Sequence, residues 1–391
     1  MIERIKRRLK SELRLFFQAN IRFNQKYKPK GIVHVQRTSD ERTMYFELNP
    51  PHSSELTLSP EFIASCSPYI KPVMKIQTPG DFVSGLRNGR MYCTNVSHFT
   101  TITEDGYAVE ELSFQWGDER IDETKENEIF KTKGFVKPKV YKGKVFSLMS
   151  GGGAKYFLYH WMLETVPKMH LFQQSGEMDK DSYFIVPNQR MQYQREFLNH
   201  FGIDEKHIID EEKIHHIQAD WLYVSSHVKY YDHHPAWSVD FLYRTIVLNP
   251  IKEPKKRIYI SRGDAKNKRP VGNEAELEKM LLRLGFESVQ LSPMSIYEKA
   301  AVINSASILV AVHGGGLANL VYCEPGTKVL EIFPDKYVCH AYHDISNKRA
   351  LQHNYLLFPS IGEATDALNG QNLGLIVDVD VVESTILSML G

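Results

Sequence analysis

The sequence predicts an α/β protein with two Rossmann-like domains facing a central cleft and a basic amphipathic helix at the N-terminus. Three observations carry this expectation. The 391 residues exceed what one hydrophobic core usually fills. From Val145 onward, short apolar strand-like runs alternate with helical periodicity in two successive series. A basic segment, Asn249-Pro250-Ile251-Lys252-Glu253-Pro254-Lys255-Lys256, separates the two and reads as a linker.

Charge is uneven along the chain. Residues 1–30 hold ten Lys/Arg against two Glu, so the head is about +8, whereas the remaining residues carry an excess of acid although the whole chain is formally +1. Within the head Ile2, Ile5, Leu9, Leu13, Phe16 and Phe17 recur at three- and four-residue steps, with Lys6, Arg7, Arg8, Lys10 and Arg14 mainly between them. Such a helix suits an anionic membrane surface, reached through residues 1–17, where each basic side chain adds about 1 kcal/mol. It also suits packing of the apolar stripe on the protein's own body. No aromatic-interleaved basic stripe continues into the body, which argues against a nucleic-acid partner.

Residues 31–250 form the expected N-terminal domain. Its first part has β-rich runs, Ile32–Gln36, Thr43–Glu47 and Arg90–Thr94, broken at Pro50-Pro51 and Pro79-Gly80, and no fold is assigned to it. The first alternating series follows: strand Val145–Met149, a Gly151-Gly152-Gly153 turn, helix Tyr156–Gln174, strand Tyr183–Val186, helix Gln192–Phe201 and strand Trp221–Ser225. Residues 251–375 form the expected C-terminal Rossmann-like domain. Arg257–Ser261 reads as a strand; Asn273 and Glu276 offer a capping box for a helix to Leu284, ended by Gly285. Ser288–Leu291 is a strand. Ser295 and Glu298 repeat the capping signature before Ile296–Ser305; Ile308–Val312 and Lys328–Phe333 are apolar strands around a helix near Leu317–Cys323. Residues 376–391 complete a final strand and helix that cross back to either domain.

The 42% hydrophobic and 24% charged content is that of a globular chain. No run approaches the eighteen apolar residues of a membrane span, and no signal-peptide pattern opens the sequence, so the expected location is cytoplasmic or peripheral on the inner face of a plasma membrane. Cys66, Cys93, Cys323 and Cys339 lie far apart without CxxC spacing and read as reduced thiols.

The sharpest motif is Val310-Ala311-Val312-His313-Gly314-Gly315-Gly316-Leu317-Ala318-Asn319, a buried strand running through three glycines into a helix. Glycines let backbone amides approach a phosphate, and a helix N-terminus adds free N–H groups and partial positive charge. Tight packing alone also produces such turns. It is neither GxGxxG nor a Walker loop. Arg262 and Arg269, seven residues apart after the strand Arg257–Ser261, supply guanidinium groups that bind phosphate bidentately without a metal. His160 and Glu164 share a helix face, and either could take a proton from a hydroxyl; an i, i+4 hydrogen bond that only stiffens the helix is equally compatible. No metal site is expected: Asp378-Val379-Asp380 reads as structural, and the adjacent pairs His215-His216 and His233-His234 are poor chelates.

Three blocks together, His160-Trp161-Met162-Leu163-Glu164-Thr165-Val166-Pro167, Tyr259-Ile260-Ser261-Arg262 through Arg269 to Asn273-Glu274, and His313–Asn319 with Pro325-Gly326 and Val329-Leu330-Glu331-Ile332-Phe333-Pro334, resemble glycosyltransferase family 61, in the branch found in bacterial capsule and surface-polysaccharide synthesis. The resemblance spans roughly residues 145–335. Gly315 stands where that family commonly has alanine. The resemblance implies an inverting, metal-independent GT-B enzyme that takes a nucleotide sugar, UDP-linked or similar, and delivers the sugar to a glycan acceptor that can be lipid-linked. It implies no cofactor, Glu164 with His160 at the catalytic position, and Arg262, Arg269, His313, Gly314, Gly315, Gly316, Asn319 and Glu331 around the donor. A nucleotide-sugar epimerase of the same architecture and a non-catalytic glycan- or nucleotide-binding module are the alternatives.

Overall fold

The computed structural model describes residues 25–391 apart from 69, 96–97, 116–127, 133, 152–153, 189, 264–268 and 365–366. The basic helix expected at residues 1–24, and Gly152-Gly153 of the first glycine turn, lie outside the described residues. The chain forms two compact units, each discontinuous in sequence. One comprises residues up to Pro50 together with Gly80–Tyr156 and Glu164–His227; the other comprises Pro51–Pro79, Phe157–Leu163 and Val228–Gly391. The sequence reading divides the two domains near residue 250 and has only residues 376–391 crossing back, because Pro51–Pro79 and Phe157–Leu163 carry no local sign that they belong with the second unit.

The first unit is built on a sheet of ten described strands. Four of them, Lys139–Ser147, Tyr183–Val186, Ile208–Asp210 and His216–Ser225, run parallel and supply its α/β half. The strands from the part left without a fold supply the other half: Asp81–Arg87 and Arg90–Asn95 pair antiparallel with His216–Ser225, and Thr43–Asn49 and His98–Ile102 extend them. Their side chains, among them Phe82, Leu86, Met91 and Phe99, share one core with Val145, Ile185, Leu222 and Val224. The expected helix Tyr156–Gln174 is not regular. Leu158–His160 is α-helical, Trp161–Thr165 is a π-turn, and Pro167–Ser175 resumes the α-helix. Pro167 has no N–H for the carbonyl of Leu163, so the ordinary i to i−4 ladder fails there.

The second unit contains a five-stranded parallel sheet in the spatial order Phe286–Val289, Lys256–Ile260, Ala306–Val312, Lys328–Pro334, Gln352–Phe358. Numbered along the chain this is 2-1-3-4-5, a doubly wound order whose reversal falls between Lys256–Ile260 and Ala306–Val312. Val310, Leu330 and Ile332 pack with the helices Glu274–Arg283 and Val379–Leu390 in its core. The capping box at Ser295 and Glu298 forms as the sequence predicts. The one expected at Asn273 does not: its carboxamide bonds the backbone of Val377 in both directions, at 2.9 and 3.0 Å. Gly285 ends that helix at φ 78°. Asp378 caps the final helix by accepting from the N–H groups of Asp380 and Val381, so the Asp378-Val379-Asp380 string has a structural role. All four cysteines are buried free thiols. Among the described residues no helix is long and apolar enough to cross a membrane.

Candidate functional site

Ligands of doubly wound sheets bind beyond the carboxyl ends of the strands, at the order reversal. In the second unit those two strand ends deliver Ser261-Arg262 and His313-Gly314. Arg262 is fixed from behind by Glu274, whose carboxylate accepts from the Arg262 N–H at 2.6 Å, from Ser261 Oγ at 3.1 Å and from Tyr259 OH at 2.9 Å. Its guanidinium lies over Gly314, where a Cβ would sit 2.4 Å from Arg262 Nη1. Gly314 has φ 171°, extended backbone open to any residue, so the close approach of the arginine requires glycine there. Gly315 faces open space, whereas a Cβ on Gly316 would press on Ile260 at 3.3 Å.

Arg269 comes back to the same turn. Its backbone is left-handed, φ 51°, and Nη1 donates to the carbonyl of His313 at 2.8 Å, with the guanidinium over the Tyr337 ring. The structure thus brings Arg262, Arg269, His313 and Gly314 together. The helix expected near Leu317–Cys323 is a 3-10 helix that begins within the glycines, Gly315–Tyr322, and Asn319 Nδ2 donates to the Gly316 carbonyl at 2.8 Å. Asn319 is buried among the residues that hold the turn.

His313 is 5% exposed, stacked on Phe333 and tilted against Tyr342. Its Nδ1–H donates to the fully buried Glu331, which leaves Nε2 as the ring nitrogen for a ligand. Burial, and next the Arg269 and Arg262 charges, hold its basicity well below the usual imidazole range. Burial pushes Glu331 well above the usual carboxylate range, against the pull of Arg269. An anion would be welcome at a turn carrying two guanidiniums beside a desolvated imidazole.

His160 belongs to the same unit. It ends the short helix Leu158–His160, which packs against the 3-10 helix Gly315–Tyr322. Its ring meets Tyr159 edge-on at 5.2 Å; Tyr159 in turn meets Tyr342 and reaches His234 through its hydroxyl. Glu164 belongs to the first unit, in the π-turn, and is 7% exposed. Burial lowers Lys168 to about 8, with Glu164 pulling the other way, and Lys168 donates to Ser225 Oγ at 3.3 Å. His227, in the same cluster, is lowered to about 4 by burial and next by Lys168. The two residues singled out on one helix therefore have different settings.

The sequence reading missed the residues after Pro334. Tyr337 and Tyr342 frame His313, and His343 and His353 gather on the far oxygen of Glu331. The signal available was the density of histidine in Cys339–His353, which holds His340, His343 and His353. Glu331, His343 and His353 offer ligand atoms all within 4.8 Å of one another, the arrangement among the described residues that could hold a metal ion. Of the paired histidines, His216 bonds the Val136 carbonyl, and His233 bonds Ser54 Oγ and the Val73 carbonyl.

Residues 158–330, which contain His160, Glu164, Arg262, Arg269 and the His313–Asn319 turn but not Glu331, match the model of the family Glycosyltransferase 61. A β-1,2-xylosyltransferase of Oryza sativa subsp. japonica, RCN11, is 35% identical over 77 residues, 19% of this chain and 14% of its own length. A xylan glycosyltransferase of Arabidopsis thaliana, MUCI21, is 31% identical over 86 residues, 21% of this chain and 17% of its own length. The matched stretches span less than a fifth of either relative. The segment from Leu158 to Leu330 is a glycosyltransferase family 61 domain.

Proposed function

We propose that this protein is a GT-B-type glycosyltransferase that moves a sugar from a nucleotide-sugar donor, of the UDP-sugar class, to a glycan acceptor with inversion at the anomeric carbon. The observation that carries the reading is the convergence of Arg262, Arg269 and His313 on the Gly314 turn at the order reversal of the parallel sheet. The acceptor hydroxyl oxygen attacks the anomeric carbon while the bond from that carbon to the diphosphate oxygen breaks. The hydroxyl proton passes to Glu164, with His160 as the other candidate, and the departing diphosphate carries its new charge onto Arg262 and Arg269 beside His313. No metal is needed at the diphosphate, because the two guanidiniums supply the charge. The basic residues 1–17 would hold the enzyme on an anionic membrane surface at the cytoplasmic face, beside a lipid-linked acceptor for a capsule or other surface polysaccharide.

The xylosyltransferase and xylan glycosyltransferase names of the matched relatives support transfer over epimerisation. The test is a panel of UDP-sugars with glycan acceptors, followed by NMR of the new glycosidic bond. Inverted product from the unaltered protein, with turnover abolished in Glu164→Gln and donor affinity kept, is the expected result. Retained configuration sinks the single-displacement scheme; conversion of a UDP-sugar with no acceptor present favours an epimerase.

A further inference from the structure

We infer that Glu331, His343 and His353 form a structural site for a zinc-class divalent cation, set behind the face of His313 that serves the donor. The three residues come from different elements of the second unit: Glu331 from the strand Lys328–Pro334, His343 from the helix Ala341–Lys348 and His353 from the edge strand Gln352–Phe358. Glu331 Oε2 is 3.0 Å from His353 Nε2 and 3.9 Å from His343 Nδ1. Ligand atoms about 2.0–2.1 Å from a tetrahedral zinc lie roughly 3.3 Å apart, so the three atoms, all within 4.8 Å of one another, would draw together and the stacked imidazoles turn apart to aim their lone pairs at one ion.

Two further observations point to a ligand. His343 Nδ1 is buried and has no hydrogen-bond partner among the described residues, an orphan atom in the direction of the carboxylate. His353 Nδ1 is 2.7 Å from Ser346 Oγ. With the proton on Nδ1 donated to that hydroxyl, the Nε2 lone pair faces Glu331 Oε2, which is how a metal-ligating histidine is oriented by its outer partner. Burial keeps both imidazoles in the neutral form that coordinates, lowering His343 to about 3 and His353 well below its usual range. The stacked rings, centroids 3.8 Å apart, are walled by Phe62 at 4.1 Å from His343. Two imidazoles and one carboxylate suit zinc over magnesium or calcium, which prefer all-oxygen shells.

The cation would tie three elements together and fix the Glu331 carboxylate, whose other oxygen accepts from His313 Nδ1–H. It stands apart from the diphosphate chemistry proposed above, so either reading can fail alone. The test uses the full chain without an affinity tag, stripped with chelator and titrated with Zn2+, Co2+ or Mg2+. We expect saturable uptake of about one Zn2+ or Co2+ per chain, a rise in melting temperature, ligand-field bands of tetrahedral Co2+, and no uptake of Mg2+. His343→Ala and His353→Ala should lose that uptake. X-ray absorption at the zinc edge of the unaltered protein needs no variant and should count two imidazoles. Absence of saturable uptake, uptake surviving both changes in folded variants, or a zinc shell with sulfur or fewer than two imidazoles would overturn the site.

Discussion

The cluster around His313 and the cluster around Glu164 are both buried and charged, yet their charges are arranged oppositely. At the Gly314 turn, Arg269 donates to a backbone carbonyl and Arg262 lies over a glycine, so two guanidiniums gather on one turn. Around Glu164 the carboxylate lies among Lys168 and His227, whose charged forms burial disfavours. Two guanidiniums on one turn suit an anionic ligand, whereas a buried carboxylate beside weakened bases suits proton transfer. The first arrangement suits a departing diphosphate and the second a general base.

The largest effect expected is at the arginines. Each of Arg262→Ala and Arg269→Ala removes charge-assisted hydrogen bonds of about 1.5–3 kcal/mol and should weaken UDP binding roughly tenfold to a hundredfold by calorimetry, with unchanged circular dichroism. Equal UDP affinity in both variants would erase the contrast between the clusters. Gly314→Ala comes next, because its Cβ would displace the Arg262 guanidinium: donor affinity should fall by about tenfold, while Gly315→Ala, facing open space, leaves it unchanged. If both glycine changes act alike, the turn is not read by Arg262.

The acid limb of stability probes the other cluster. His227 is lowered to about 4 from 6.5, so between those values the unfolded chain binds a proton that the folded chain refuses, and stability rises with pH from about 4 to 6.5. Lys168 and Glu164 face it electrostatically, the Ser113 carbonyl takes its Nε2–H, and Phe114 meets its ring. Melting temperatures of His227→Gln across that range should show a shallower slope; an identical slope would place the proton elsewhere. The smallest effect is at Ser295, whose replacement by alanine should cost about 1 kcal/mol and leave UDP affinity untouched.

Much of the second unit was legible because its strands are buried on both faces and read as continuous apolar runs, Ile308–Val312 above all. The Gly314 turn and its two arginines followed from strand ends and residue chemistry. Other features lay beyond local pattern. The strand Asp81–Arg87 acquires meaning only through antiparallel pairing with His216–Ser225, more than a hundred residues away, and Thr43–Asn49 through its pairing with Asp81–Arg87. Asn273 had the right type and spacing for a cap, but Val377, brought near by the fold, claims its carboxamide. His343 and His353 sit ten residues apart on a helix and a strand, a spacing that no metal-ligand pattern announces.

Calorimetric titration of UDP into the unaltered chain and into Arg262→Ala, each with and without Mg2+, tests the central claim most directly. Saturable binding that is indifferent to Mg2+ and at least tenfold weaker in the variant is the expected result. UDP binding that requires Mg2+, or that survives loss of the Arg262 guanidinium, would contradict a donor site built on that arginine at the Gly314 turn.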